Sequence, residues 1–275
     1  MCLDCLVLSI SRSRKNRFFM KNNSIAIVVP LYREFTLSDT ISLDRLFSLC
    51  SEKFNIVAVC PESLNKDLKY NFSSIERFPD KYFKSTATYS DLLESYTFWS
   101  RFSDYEYILI YQTDCFLIED KIEKWASLGY DYIGAPIVST NARWKNPPCV
   151  GNGGLSLRKT SKFLNMVSGA VFEKHQTELM ESTNREYEDL YFLQTCSKFF
   201  KIDVPSFKLA SMFACDMNPD IILGKNPKIL PMGVHAFDKN ISYWSKIIPE
   251  LSSKELYDEC YKRHKNFIDV YYGSK

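Results

Sequence analysis

Four groups of residues in this sequence have types and spacings able to do chemistry. Gln112-Thr113-Asp114 follows directly after the apolar run 105–111, which puts a carboxylate at the mouth of a sheet, open to solvent or ligand. Such an aspartate either closes a turn or caps a helix, or it meets a cation. His235, one of only three histidines, lies in the segment 231–237 between Gly233 and Phe237. Imidazole plus carboxylate is a ligand pair for Mn²⁺ or Mg²⁺ when diphosphate oxygens complete the shell. The alternative for His235 is a neutral ring hydrogen-bonded inside its loop. Glu188 and Asp189 open a predicted helix, where they face the helix dipole and can cap free N–H groups; equally, one of them can be a general base that takes a proton from a hydroxyl.

The fourth group is backbone. Five of the nine glycines, Gly129, Gly134, Gly151, Gly153 and Gly154, fall within one window of 26 residues. Glycine permits close backbone approach, so 150–155 is expected to be a ligand-facing loop or bulge, with a plain turn before a helix as the alternative. Arg158 beside it is a candidate contact for anionic groups. His175 and His264 sit in polar helical surroundings and read as surface residues.

These groups need elements to position them. Residues 25–29, closed by Pro30, are a β-branched run that predicts a buried parallel strand. Apolar residues at helical spacing over 38–53 predict a helix, and 54–60 a second strand. A helix over 91–102 and a strand over 105–111 continue the alternation. Such an order predicts a mostly parallel sheet covered by helices on both faces, with ligands beyond the carboxyl ends of the strands. Further helices are expected over 160–172, 187–200 and 252–272.

On size grounds the 275 residues are expected to form one α/β domain, or one domain with a lid, with 1–19 as an appendage or over-extended start and the domain over 20–275. The first twenty residues place an apolar run before a basic cluster, the wrong order for a secretory signal. A net charge of +2 lacks the basic excess that phosphate-backbone binding requires, which argues against nucleic acid. Nine scattered cysteines suggest a reducing compartment, and Cys2-x-x-Cys5 has no second pair at zinc spacing. No apolar stretch reaches the ~18–20 residues of a membrane span.

Five segments in order resemble a bacterial family of GT-A type glycosyltransferases: 105–114; Trp125 with 129–136; 150–159; 188–192; and 231–237 with Trp244. The resemblance runs from about Ile25 to about Trp244. That family is largely uncharacterised and is often found in polysaccharide and lipopolysaccharide gene clusters. The resemblance implies a GT-A, mostly parallel sheet flanked by helices, in a single domain with C-terminal loops and helix. It implies a transferase moving sugar from a nucleotide-diphosphate donor to a hydroxyl of a glycan or lipid-linked acceptor, in surface polysaccharide (O-antigen or capsule) synthesis. Gln112 stands where the wider superfamily has the first aspartate of a D-x-D motif, which suits it to ribose or phosphate as a neutral donor.

Asp114 and His235 are then the ligands of a divalent metal, Mn²⁺ or Mg²⁺. Pro30, Tyr32 and Arg33 are assigned to the nucleotide, Tyr32 stacking and Arg33 reaching phosphate, unless Arg33 merely pairs with Glu34 or solvent. Asn152, Gly153 and Gly154 resemble the donor-sugar or acceptor wall. Asp189, with Glu188 second, resembles the base of an inverting enzyme. A cytoplasmic location with peripheral contact at the inner membrane would follow from a lipid-linked acceptor. Two rivals remain: a sugar-nucleotide pyrophosphorylase, disfavoured because 29–33 lacks a glycine-rich basic loop, and a non-catalytic nucleotide- or carbohydrate-binding module.

Overall fold

The structure, a computed structural model, describes residues 22–64, 68–138, 150–168 and 187–273. The appendage 1–19, His175 and the helix expected beyond residue 168 lie outside the described residues. The strands are β1 (Asn22–Pro30), β2 (Phe54–Pro61), β3 (Ser74–Phe78), β4 (Tyr107–Tyr111), β5 (Phe116–Leu117), β6 (Tyr132–Ala135), β7 (Asn152–Lys159), β8 (Ala214–Cys215) and β9 (Gly233–Val234). Six of them form one sheet in the order β3-β2-β1-β4-β7-β6. β1 pairs in parallel with β2 and β4, and β2 with β3; β7 runs antiparallel to both β4 and β6. The sheet is therefore mostly parallel, as expected, with one reversed strand in its interior.

Alternation along the strands builds two cores. Ile25, Ile27 and Val29 of β1, Ile56 and Ala58 of β2 and Leu109 of β4 face one side. Ala26, Val28, Val57, Val59, Ile108 and Ile110 face the other. Each buried Val, Ile or Leu side chain contributes ~1.5–3 kcal/mol of apolar transfer, so a sheet buried on both faces needs the near-continuous apolar runs these strands show. Helices α1 (Leu37–Cys50) and α4 (Ile122–Ala126) cover the first face; α2 (Thr86–Leu93), α3 (Tyr96–Arg101) and α5 (Thr160–Ser168) cover the second.

The helix predicted over 91–102 is two helices. Ser95 stops one and starts the next: its Oγ accepts from the Phe98 N–H at 3.1 Å, an N-cap in the middle of the apolar pattern. The helix predicted over 187–200 is also broken, into α6 (Glu188–Leu190), a π turn (Tyr191–Thr195) and a 3₁₀ turn (Cys196–Lys198). Of the glycine segment 150–155, residues 152–155 open β7, and the expected bulge is present as a register shift against β6 between Gly134 and Ala135. A three-stranded sheet, β5-β9-β8, packs with the C-terminal helix 254–272 through Trp244, Leu256 and Cys260.

Candidate active site

The small sheet gathers four of the chemistry-bearing residues at one end. β8 and β9 are parallel, with Cys215 beside Val234, so the residues that follow, Asp216 and His235, emerge side by side; the His235 N–H donates to the Cys215 carbonyl at 2.9 Å. β5 is antiparallel to β9 with Phe116 beside Val234, which sets Asp114 and Cys115, just before β5, against His235. The Phe237 N–H closes this corner on the Asp114 carbonyl at 3.1 Å. Residues 114 and 235, far apart in sequence, meet because two two-residue strands align them.

His235 Nε2 lies 3.2 Å from Asp114 Oδ1 and 3.2 Å from Gln112 Oε1, and Nδ1 lies 3.2 Å from Asp216 Oδ1. Burial by itself would lower the imidazole pKa; the Asp114 and Asp216 carboxylates outweigh it and raise it to about 10. Burial would raise Asp114, yet His235 and then Lys239 hold it at about 2. Asp114 keeps a side chain 29 % exposed, so an incoming group can reach it.

The donor set suits a divalent cation. One carboxylate oxygen, one amide oxygen and one imidazole nitrogen converge within ligand-to-ligand spacing, and the charge that raises His235 is the charge a cation would take over. Asp114, Cys115 and His235 together could hold a metal ion. Cys115 is the poorest ligand of the three, because burial pushes its thiol far above its usual range and its S–H donates to the Gly154 carbonyl at 3.2 Å.

Gly153 and Gly154 present their missing side chains to different neighbours. A Cβ on Gly154 would sit 2.1 Å from His235 Nε2, and one on Gly153 would sit 2.5 Å from Glu188 Oε1. Close approach, with no positive φ, is why glycine stands here. Asn152 is tied into the same corner: its Nδ2 donates to Asp216 Oδ2 at 2.7 Å and its Oδ1 accepts from the Gly154 N–H.

The two acids differ in environment. Glu188 is buried and takes both guanidinium N–H groups of the fully buried Arg158, at 2.7 and 2.8 Å. Arg158 therefore faces Glu188, stacks over Tyr132 and Phe163, and does not line the cleft described below. Asp189 is partly exposed and accepts from the N–H groups of Gly153 (3.0 Å) and Leu190 (2.7 Å). Burial first, then the charge of Glu188, push its carboxyl up to about 7.

A cleft of about 420 Å³ opens where β1 and β4, adjacent and parallel, reach their carboxyl ends. Pro30, Tyr32, Arg33, Gln112 and Asp114 all line it; His235, Asn152, Gly153, Gly154, Glu188 and Asp189 lie outside its lining. Arg33 pairs with neither Glu34's carboxylate nor solvent alone: its guanidinium makes a two-pronged ion pair with Asp39, at 2.5 and 3.0 Å, and a bond to the Glu34 carbonyl. Asp39 is itself the third helical residue in the capping box of Thr36, so Arg33 is anchored to the start of α1.

Sequence reading missed Asp216 and the basic rim of the cleft, Lys84, Lys239 and Arg263. Asp216 follows a two-residue strand with no apolar periodicity, and the three cations lie on unrelated segments. His264, read as a surface residue, lines the cleft, bonds Asp238 Oδ2 at 2.7 Å and marks a non-helical kink (φ −118°, ψ 23°) in the C-terminal helix.

Fold and site together define a mixed α/β protein with a mostly parallel sheet, a cleft at the strand carboxyl ends and a cation-competent corner beside it. Residues 72–235 match the family described as protein of unknown function (DUF5672), and the chain belongs to that family. The matched span contains Gln112, Asp114, the β7 glycines and both acids, and ends on His235. No curated protein matches the chain. Among solved structures it is similar to the crystal structure of a glycosyltransferase involved in the glycosylation of the major capsid of PBCV-1. That chain is 11 % identical, with a TM-score of 0.46; the match covers 77 % of this chain and 91 % of that one.

Proposed function

We propose that this protein is a GT-A type glycosyltransferase that moves a sugar from a nucleotide-diphosphate donor to a hydroxyl of a glycan or lipid-linked acceptor. The observation that carries the proposal is the convergence of Gln112 Oε1 and Asp114 Oδ1 on His235 Nε2, each at 3.2 Å, beside a cleft rimmed by Lys84, Lys239 and Arg263. A cation corner next to a basic cleft fits a nucleotide diphosphate: the nucleoside against Pro30 and Tyr32, the phosphates toward Lys239 and Asp114.

Gln112, Asp114 and His235 would hold Mn²⁺ or Mg²⁺. The ion would supply charge neutralisation for the departing diphosphate. Lys239, close enough to lower the Asp114 pKa, adds a second positive charge there. Asp189 serves as the general base. Its carboxyl sits near 7, where a base is both unprotonated enough and strong enough to accept a hydroxyl proton, while both oxygens of Glu188 are held by Arg158. A single displacement with Asp189 as base inverts the anomeric configuration. Gly153 fixes Asp189 through its N–H, and Gly154 lies under the imidazole, so the first residues of β7 couple base and cation corner.

A role in surface polysaccharide synthesis at the inner face of a membrane belongs to the same proposal. Among the described residues no helix is long and apolar enough to cross a membrane. The test is release of nucleoside diphosphate from a panel of UDP-, GDP-, CDP- and dTDP-sugars with Mn²⁺, with and without oligosaccharide acceptors. Turnover of one donor, lost in Asp114→Asn, is expected. Binding of nucleotide without any release would instead make the protein a binding module, and formation of nucleotide sugar from sugar phosphate and nucleoside triphosphate a pyrophosphorylase.

A further inference from the structure

Asp216 sits where it can decide which nitrogen of His235 is offered to a cation. Its Oδ1 is 3.2 Å from His235 Nδ1, on the side of the ring opposite to Asp114 and Gln112. Its side chain is only 8 % exposed, and its other oxygen is held by Asn152 Nδ2 at 2.7 Å. The Asp216 carbonyl faces Asn240 Nδ2 at 3.4 Å, so the backbone is tied as well. A buried carboxylate held by Asn152 and set 3.2 Å from a buried imidazole nitrogen that has no hydrogen-bond partner among the described residues is a built arrangement.

The fold gives the arrangement its rigidity. Asp216 and His235 are the residues that follow Cys215 and Val234, which are register partners in the parallel pair β8–β9, and the His235 N–H is bonded to Cys215. Gly154 lets the ring pack directly on the backbone of β7, where a Cβ would lie 2.1 Å from Nε2. A cation can be held only by the lone pair of Nε2, on the side of Asp114 and Gln112, which leaves the ring proton on Nδ1, and the Asp216 carboxylate beside Nδ1 favours that form. A carboxylate behind a ligating imidazole also raises its basicity, and loss of such a partner typically weakens metal binding 10–100-fold.

We propose that Asp216 is a positioning residue for the metal ligand His235, held in place by Asn152 and acting through Nδ1 to present Nε2 to the cation. The proposal rests on the metal site suggested above and deepens it. It also gives Asn152 a task other than lining a sugar wall: Asn152 orients Asp216, which orients His235.

The experiment is titration of the full-length protein with Mn²⁺ alone, followed by electron paramagnetic resonance of the free ion, for wild type, Asp216→Asn, Asn152→Ala and Asp114→Asn, with metal-free melting recorded for each. Wild type is expected to bind one ion, and Asp216→Asn to bind it at least tenfold more weakly, with Asn152→Ala intermediate. Nitrogen-15 spectra of the Mg²⁺-saturated wild type should show a proton on Nδ1 of His235, and Asp216→Asn should lose that preference. Wild-type affinity in Asp216→Asn, with Asp114→Asn impaired, overturns the role of Asp216 and leaves the metal site standing. No Mn²⁺ binding by folded wild type overturns both. If Asp216→Asn fails to fold, Asn152→Ala decides, since it frees Asp216 without removing a charge: unchanged affinity there counts against the proposal.

Discussion

At the scale of single residues, two carboxylates one position apart in the sequence have opposite fates. Glu188 is locked to Arg158, and Asp189 is left with a carboxyl raised to about 7. Asp189→Asn is expected to lower sugar transfer by about 10²–10⁴-fold while nucleotide binding is retained, which kinetics and calorimetry together would check. Because the base works unprotonated, the wild-type rate should climb with pH up to about 7 and then level off; a rate that is flat from pH 5 to 8 would speak against Asp189. The same group affects stability. Between about pH 4 and 7 the folded protein keeps a proton on Asp189 that the unfolded chain releases, so its contribution falls as pH rises through that window, and Asp189→Asn should flatten that part of the urea-midpoint profile. Arg158→Met would strand Glu188 as an unpaired buried charge, and a loss of about 3–5 kcal/mol in denaturant unfolding is expected.

At the scale of elements, the C-terminal helix 254–272 is joined to α1 by side chains across more than two hundred residues. Glu259 accepts from the free N–H groups of Leu37 and Ser38 at the start of α1, and Arg263 bonds Ser38 Oγ and Asp238. Glu259→Ala should cost about 1 kcal/mol by removing this borrowed cap, measurable as a shift in urea midpoint at constant slope. Sequence pattern located the elements whose whole length is apolar or periodic: β1, α1, β2 and β4. It failed where local chemistry overrides period. Ser95 splits an apolar run into two helices, and Gly153, Gly154 and Arg158 disguise β7, whose glycines are there to admit Glu188 and His235 and whose arginine is neutralised only by a residue thirty positions on. The residues that line up at the strand ends, Pro30, Gln112 and Asp114, were legible because position after a strand is itself a signal. Asp216 was not, since its meaning comes from the pairing of two-residue strands that no periodicity announces.

Taken as a whole molecule, the chain has a net charge of only +2, yet Lys84, Lys239 and Arg263 are brought to one rim by three separate segments. Three cations gathered beside Asp114 and Asp238 in one cleft are what the proposed nucleotide diphosphate and its metal would need. The most direct measurement is a thermal-shift panel of UDP, GDP, CDP and dTDP, each with and without Mn²⁺, on wild type and Asp114→Ala. A ligand that binds only the folded state at ~100 times its Kd adds about 2.7 kcal/mol, which for a domain of this size raises Tm by about 5 °C or more. One nucleotide is expected to do so in wild type only when Mn²⁺ is present, and to lose the effect in Asp114→Ala. Stabilisation by none of the four, or stabilisation indifferent to both Mn²⁺ and Asp114, would contradict the metal-assisted nucleotide site on which the account rests.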